Sequence, residues 1–160
     1  MTYDTKRLKT FKWLEKLAKN SARYSKGAFN SIPYILTCYG RLYATNGIVL
    51  AEVEYPEFKH ISDNGFMKVE HYCNENGFLL EFPELVEPER NYRDGMFRDM
   101  FNGDIVYEPP FKVNPAVMTD SLYLFKLYDI PAYQYMMGNM CMLSGHNDEI
   151  SLQMLLMGMR

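Results

Sequence analysis

The sequence predicts a single α+β domain made of two pseudo-repeated halves, each a helix followed by antiparallel strands. Three observations predict it. A basic amphipathic segment opens the chain, strand-like runs around an Asn-Gly turn follow, and after an irregular stretch the same order returns. With 160 residues, 48% of them hydrophobic, the chain can bury one core and is short for two domains. The halves fall at about 1–82 and 105–160, joined by a connection over 83–110 whose prolines and glycines break every periodic pattern.

The first helix sorts its residues by face. With Lys9 at zero and about 100° per residue, Lys9, Lys12, Lys16, Lys19, Arg23 and Lys26 lie within roughly 260° to 360°. Phe11, Trp13, Leu14, Leu17, Ala18, Ala22 and Tyr24 lie within about 40° to 220°. Asp4 or Thr5 can cap the helix start. Residues 1–26 hold eight Lys and Arg against Asp4 and Glu15, a local +6, so a total of −3 leaves −9 for the rest. A row of lysines often only solvates an outer face, but such faces usually mix signs to limit self-repulsion. Six cations with hardly an acid between them suit a polyanion. A membrane-surface helix would need its apolar side left open, whereas this one has a core beside it to cover.

The strand runs IPYILTCYG (32–40) and RLYATNGIVLAEVEY (41–55) are β-branched, aromatic and punctuated by glycine. Asn46-Gly47 predicts a hairpin with a type I′ turn. Ile48, Leu50 and Glu52 share one side of the second strand and Val49, Ala51 and Val53 the other, so both sides are expected to be covered. Further strands are expected at 66–72 and 77–82. In the second half Asn114 and Pro115 start a helix over 113–129 that ends near Pro131. Strand-like AYQYMMGNMCML (132–143), a turn at SGHNDE (144–149) and strand-like ISLQMLLMGMR (150–160) complete it.

Chemistry finds little purchase. Cys38, Cys73 and Cys141 are odd in number and widely spaced, as expected of reduced thiols in a cytoplasmic protein. The opening residues lack the apolar block of a secretory signal, and no apolar run approaches the roughly 18 residues of a membrane helix. His60, His71 and His146 lack paired-ligand spacing, so neither a metal nor a cofactor is expected. Cys141 with His146, or Cys73 with His71, could be imagined as a nucleophile pair, but a cysteine between Met140 and Met142 on a strand is more often packing. Glu81, Glu84, Glu87 and Glu89 read as a solvated loop, and no catalytic group is expected. The methionines Met136, Met137, Met140, Met142, Met154, Met157 and Met159 either fill the core or form a soft surface for apolar partners.

Several segments, in order along most of the chain, resemble the DNA sliding clamp family of bacterial β clamps and proliferating cell nuclear antigen. RLYATNGIVLAEVEY is similar to the family's strand, Thr-Asp-Gly turn and apolar strand, with Asn46 in place of Asp. LEFPELVEP (80–88) is similar to the Phe-Pro-Asp segment before its crossover, and FKVNPAVMTDSLYLFK (111–126) to its second helix. LLMGMR (155–160) is similar to a closing Met-Pro-Met-Arg, with Gly158 in place of Pro. The resemblance implies a DNA-clamp-like fold and a replication accessory protein, a processivity factor, that holds duplex DNA through inner helices without reading sequence. Lys9, Lys12, Lys16, Lys19, Arg23 and Lys26 would then meet phosphates. It also implies a pocket for peptides of a polymerase or other replication proteins, lined by Thr45, Gly47, Ile48, Val49, Leu50, Leu155 and Met157, two pieces that in the family come from neighbouring domains. A closed homo-oligomeric ring would take six copies, with the pocket across a subunit boundary. The second helix departs from the pattern, carrying only Lys126 beside Asp120 and Asp129. The alternative is a protein–protein interaction module of the same α+β fold without DNA binding.

Overall fold

The computed structural model describes residues 1–20, 34–58, 65–68, 85–86, 101, 113–137 and 140–158. Helix α1 covers Tyr3–Lys19, about 25 Å of axis. Its cap is Thr2 rather than Asp4 or Thr5, which are already helical. Thr2 is extended, and its side-chain oxygen accepts from the Thr5 N–H. Asp4 in the first turn and Lys16 and Lys19 in the last both complement the helix dipole. Phe11, Trp13, Leu14, Leu17 and Ala18 are buried, as the helical spacing predicts.

The strands are β1 (Tyr34–Cys38), β2 (Arg41–Thr45), β3 (Val49–Glu54), β4 (Gly65–Lys68), β5 (Leu85–Val86), β6 (Tyr133–Met137), β7 (Met140–His146) and β8 (Ser151–Met157), with a short 3-10 turn at Pro56–Phe58 after β3. They form one antiparallel sheet in the order β5-β4-β1-β2-β3-β8-β7-β6. Two consecutive meanders, β1-β2-β3 and β6-β7-β8, meet where β3 pairs with β8, from Val49↔Leu156 to Glu54↔Ser151. Strand β5 lies inside the stretch expected to be an irregular connection, and it pairs with β4 through Phe66↔Val86 and Met67↔Leu85. The expected strand at 77–82 and the acidic cluster Glu81, Glu84, Glu87 and Glu89 lie outside the described residues.

Two turns differ from the sequence reading. The type I′ geometry occurs at Tyr39 and Gly40, both at positive φ (51° and 78°), between the partners Cys38 and Arg41. At the Asn-Gly site three residues link β2 to β3, and Gly47 alone takes positive φ, at 92°. Asn46 works there through its side chain, whose oxygen accepts from the N–H groups of Ile48 and Val49 at 2.9 and 2.8 Å. The β7-β8 turn repeats this construction. Asn147 accepts from Glu149 and Ile150, and in both turns the asparagine N–H donates to the carbonyl three residues on.

The second helical segment is two pieces instead of one, α2 (Pro115–Ser121) and α3 (Tyr123–Leu127), parted at Leu122. Asn114 caps α2 and Pro115 occupies its first turn, as expected. The single strand expected over 132–143 is two, β6 and β7, paired up to Met137↔Met140. Gly138-Asn139, which joins them, is itself a hairpin dipeptide.

The helices cover one side of the sheet. Phe11, Leu14 and Leu17 of α1 and Leu124, Phe125 and Tyr128 of the second segment share a core with Leu42, Val49, Ala51, Val53, Leu143, Leu152, Met154 and Leu156. Inside it the hydroxyls of Thr10, Tyr128 and Tyr55 form a chain with both spacings 2.8 Å, so these buried polar groups satisfy one another. On the other side Leu36, Cys38, Tyr43, Leu50, Met142 and Leu155 form a second cluster, against which Phe101 and Tyr135 pack. Strand β3 is therefore buried on both sides, as its residue pattern predicts. No helix among the described residues is long and apolar enough to cross a membrane.

Candidate nucleic-acid interface

The six described cations of α1 divide by the side of the helix they occupy. Lys6 and Arg7 lie on the packed side and are engaged by neighbours. Lys6 Nζ pairs with Glu149 Oε1 at 3.2 Å and sits 5.5 Å from the centre of the Tyr128 ring. Arg7 pairs with Glu57 and lies 5.7, 5.6 and 5.1 Å from the rings of Tyr3, Tyr55 and Phe58, a partly buried cation–π box. The Tyr3 hydroxyl donates to the same Glu57 carboxylate, which closes the box.

Lys12, Lys16 and Lys19 are exposed and Lys9 is half-buried. The described ion pairs are Lys6–Glu149, Arg7–Glu57 and Arg41–Glu54, and none involves these four lysines. Arg23 and Lys26, expected to continue the row, lie outside the described residues. Lys12, Lys16 and Lys19, with Glu15 and Asn20, outline a shallow concavity of about 380 Å³. Lys16 and Asn20 also border a second cleft of about 440 Å³ between α1, α2 and the β2-β3 loop. Trp13, Ile48 and Val117 supply apolar walls to this cleft, and Asp120 stands among its polar groups. The second segment adds an exposed Lys126 flanked by exposed Asp120 and Asp129.

The residues expected to line a peptide pocket are brought together, but within one chain instead of across a subunit boundary. Leu50 pairs with Thr45 on one side and Leu155 on the other, and the Met157 N–H donates to the Ile48 carbonyl at 2.9 Å. Thr45, Leu50 and Leu155 are buried on the sheet side away from the helices, whereas Val49 enters the core beneath them. Gly47 and Ile48 are half-buried, and Met157 remains 52% exposed. Among the other methionines Met142 and Met154 are buried, and Met136 and Met140 partly so.

The imagined nucleophile pair is not assembled. Cys141 packs into the helix-side core, where burial raises its thiol pKa, and His146 is exposed five residues along β7 on the opposite side. Cys73, His60 and His71 lie outside the described residues. Among the described residues no group of three His, Cys, Asp or Glu is placed to hold a metal ion.

Fold and surface together define a mixed α+β domain whose leading helix shows a row of lysines that, among the described residues, have no acidic partners. No family model matches the chain, and no curated protein or solved structure matches it.

Proposed function

We propose that this protein is a clamp-like DNA replication accessory factor that meets duplex DNA, without reading its sequence, through α1. The observation that carries the reading is the division among the α1 cations. Those on the packed side have Glu149, Glu57 and aromatic rings as partners, while Lys12, Lys16 and Lys19 are exposed and pair with no acid among the described residues. Left unpaired, such groups are available to replace the counterions condensed on a phosphate backbone. The strand order supports the clamp-like architecture, because helix, strand, strand, strand occurs twice and the two meanders mirror one another about β3 and β8. The matched asparagine turns after β2 and β7 add to it. A ring of six copies and a surface for polymerase peptides around Ile48 and Met157 extend the same reading.

Its test is binding to several unrelated duplexes at low and at high salt. The protein should bind them all alike at low salt and release them at high salt, and changing Lys12, Lys16 and Lys19 together to Glu should abolish binding without unfolding the domain. A triple variant that retains native affinity would sink the reading. The exposed Met157 beside Ile48 favours a second reading, a protein-interaction module without nucleic acid. On that reading the native protein fails to retain any duplex even at low salt.

A further inference from the structure

We infer that the DNA backbone is tracked by α1 alone, one strand of phosphates running along the lysine row, and that the second helical segment stays out of contact. The inference rests on the reading of α1 as the DNA face and deepens it. Lys9, Lys12, Lys16 and Lys19 keep to an arc of about 80° and span about 15 Å of helix axis. Successive phosphates along one B-form strand are roughly 7 Å apart, because the axial rise of about 3.4 Å is combined with the winding of the backbone, so that span follows about two to three phosphates.

Beyond the row the charge reverses. The cleft that Lys16 borders is also lined by Asp120 of α2, so a phosphate moving from α1 across the cleft meets a carboxylate. Past it, Lys126 is the only described cation of the second segment, and Asp120 and Asp129 are both exposed with it. A duplex laid across both segments would set phosphates against those acids and replace few counterions there. Laid along α1, it meets Lys9, Lys12, Lys16 and Lys19, and the one carboxylate among them, Glu15, is buried. The helix dipole leaves this preference intact, because Lys16 and Lys19 sit at the end where carbonyl charge would otherwise repel phosphate.

Salt dependence of binding to a short duplex of arbitrary sequence tests this, using the full chain. Two to three neutralised phosphates give a slope of log K against log salt of about −2 to −3, equivalent to roughly a ten- to fortyfold loss between 50 and 200 mM salt. Lys12→Gln and Lys16→Gln should each flatten the slope by about 0.9, whereas Lys126→Gln should leave it unchanged. Circular dichroism checks that each variant keeps its fold. If Lys126→Gln flattens the slope as much as Lys12→Gln does, both helical segments touch DNA and the one-strand track is wrong, while α1 stands as a DNA face. If the native protein binds no duplex at low salt, the functional reading itself fails. Binding to phosphatidylserine vesicles in place of duplex would overturn both and assign the row to a membrane surface.

Discussion

Gly145, one residue before the end of β7, has no room for a side chain. A β-carbon there would lie 2.6 Å from Ile130 Cγ2, 2.6 Å from the Pro131 carbonyl oxygen and 3.2 Å from Phe125 Cε1. The isoleucine methyl can turn aside, but the backbone oxygen cannot move without shifting the link into β6. Gly145→Ala should therefore lower stability by about 1–3 kcal/mol, read as a lower urea midpoint at unchanged slope. Asn46 is the second residue whose chemistry decides local structure. Asn46→Ala removes two hydrogen bonds to backbone N–H groups and should cost about 1–2 kcal/mol in the same measurement. At this scale the sequence marked the right turn for the wrong reason. Asn-Gly announced a change of direction, but whether asparagine contributes its backbone angle or its carbonyl oxygen depends on a three-residue loop length that the dipeptide does not encode.

Elements were legible where periodicity was strong. The apolar side of α1 follows from its spacing, and Phe11, Trp13, Leu14, Leu17 and Ala18 are all buried, while Ala22 and Tyr24 lie outside the described residues. What the helix wheel could not show is that Lys6 and Arg7 are claimed by Glu149 and Glu57, residues 143 and 50 positions away in the chain. Sequence distance hides such partners, so the raw cation tally of the helix overstates its free charge. The helix starts two to three residues earlier than expected, because Thr2, Asp4 and Thr5 are all residue types that can cap. Thr2→Ala should cost about 1 kcal/mol of stability, seen as a few degrees of thermal midpoint. In the second half the methionine-rich run 132–143 conceals a hairpin, since Met suits a strand and the flank of a turn equally well.

At the scale of the molecule, titration reports how tightly the layers close. Burial raises the pKa of Tyr55 and Tyr128 within the core and of Tyr43 on the other side of the sheet, where its hydroxyl donates to Glu52. A free tyrosine ionises near 10.0. Above that value the unfolded chain sheds protons that the folded chain retains, so stability is fully present below it and falls as pH climbs. Urea midpoints should hold steady up to about pH 9 and decline toward about pH 11, faster than exposed tyrosines would allow.

The seam between β3 and β8 has a consequence for how this chain could be cut. Each meander is contiguous in sequence, and among the described residues their strand-to-strand junction is the six pairs between β3 and β8. Two separately made polypeptides, parted anywhere between 86 and 113, would each carry a sticky margin shaped for the other, and mixing them should restore the lysine-bearing domain as a two-piece assembly.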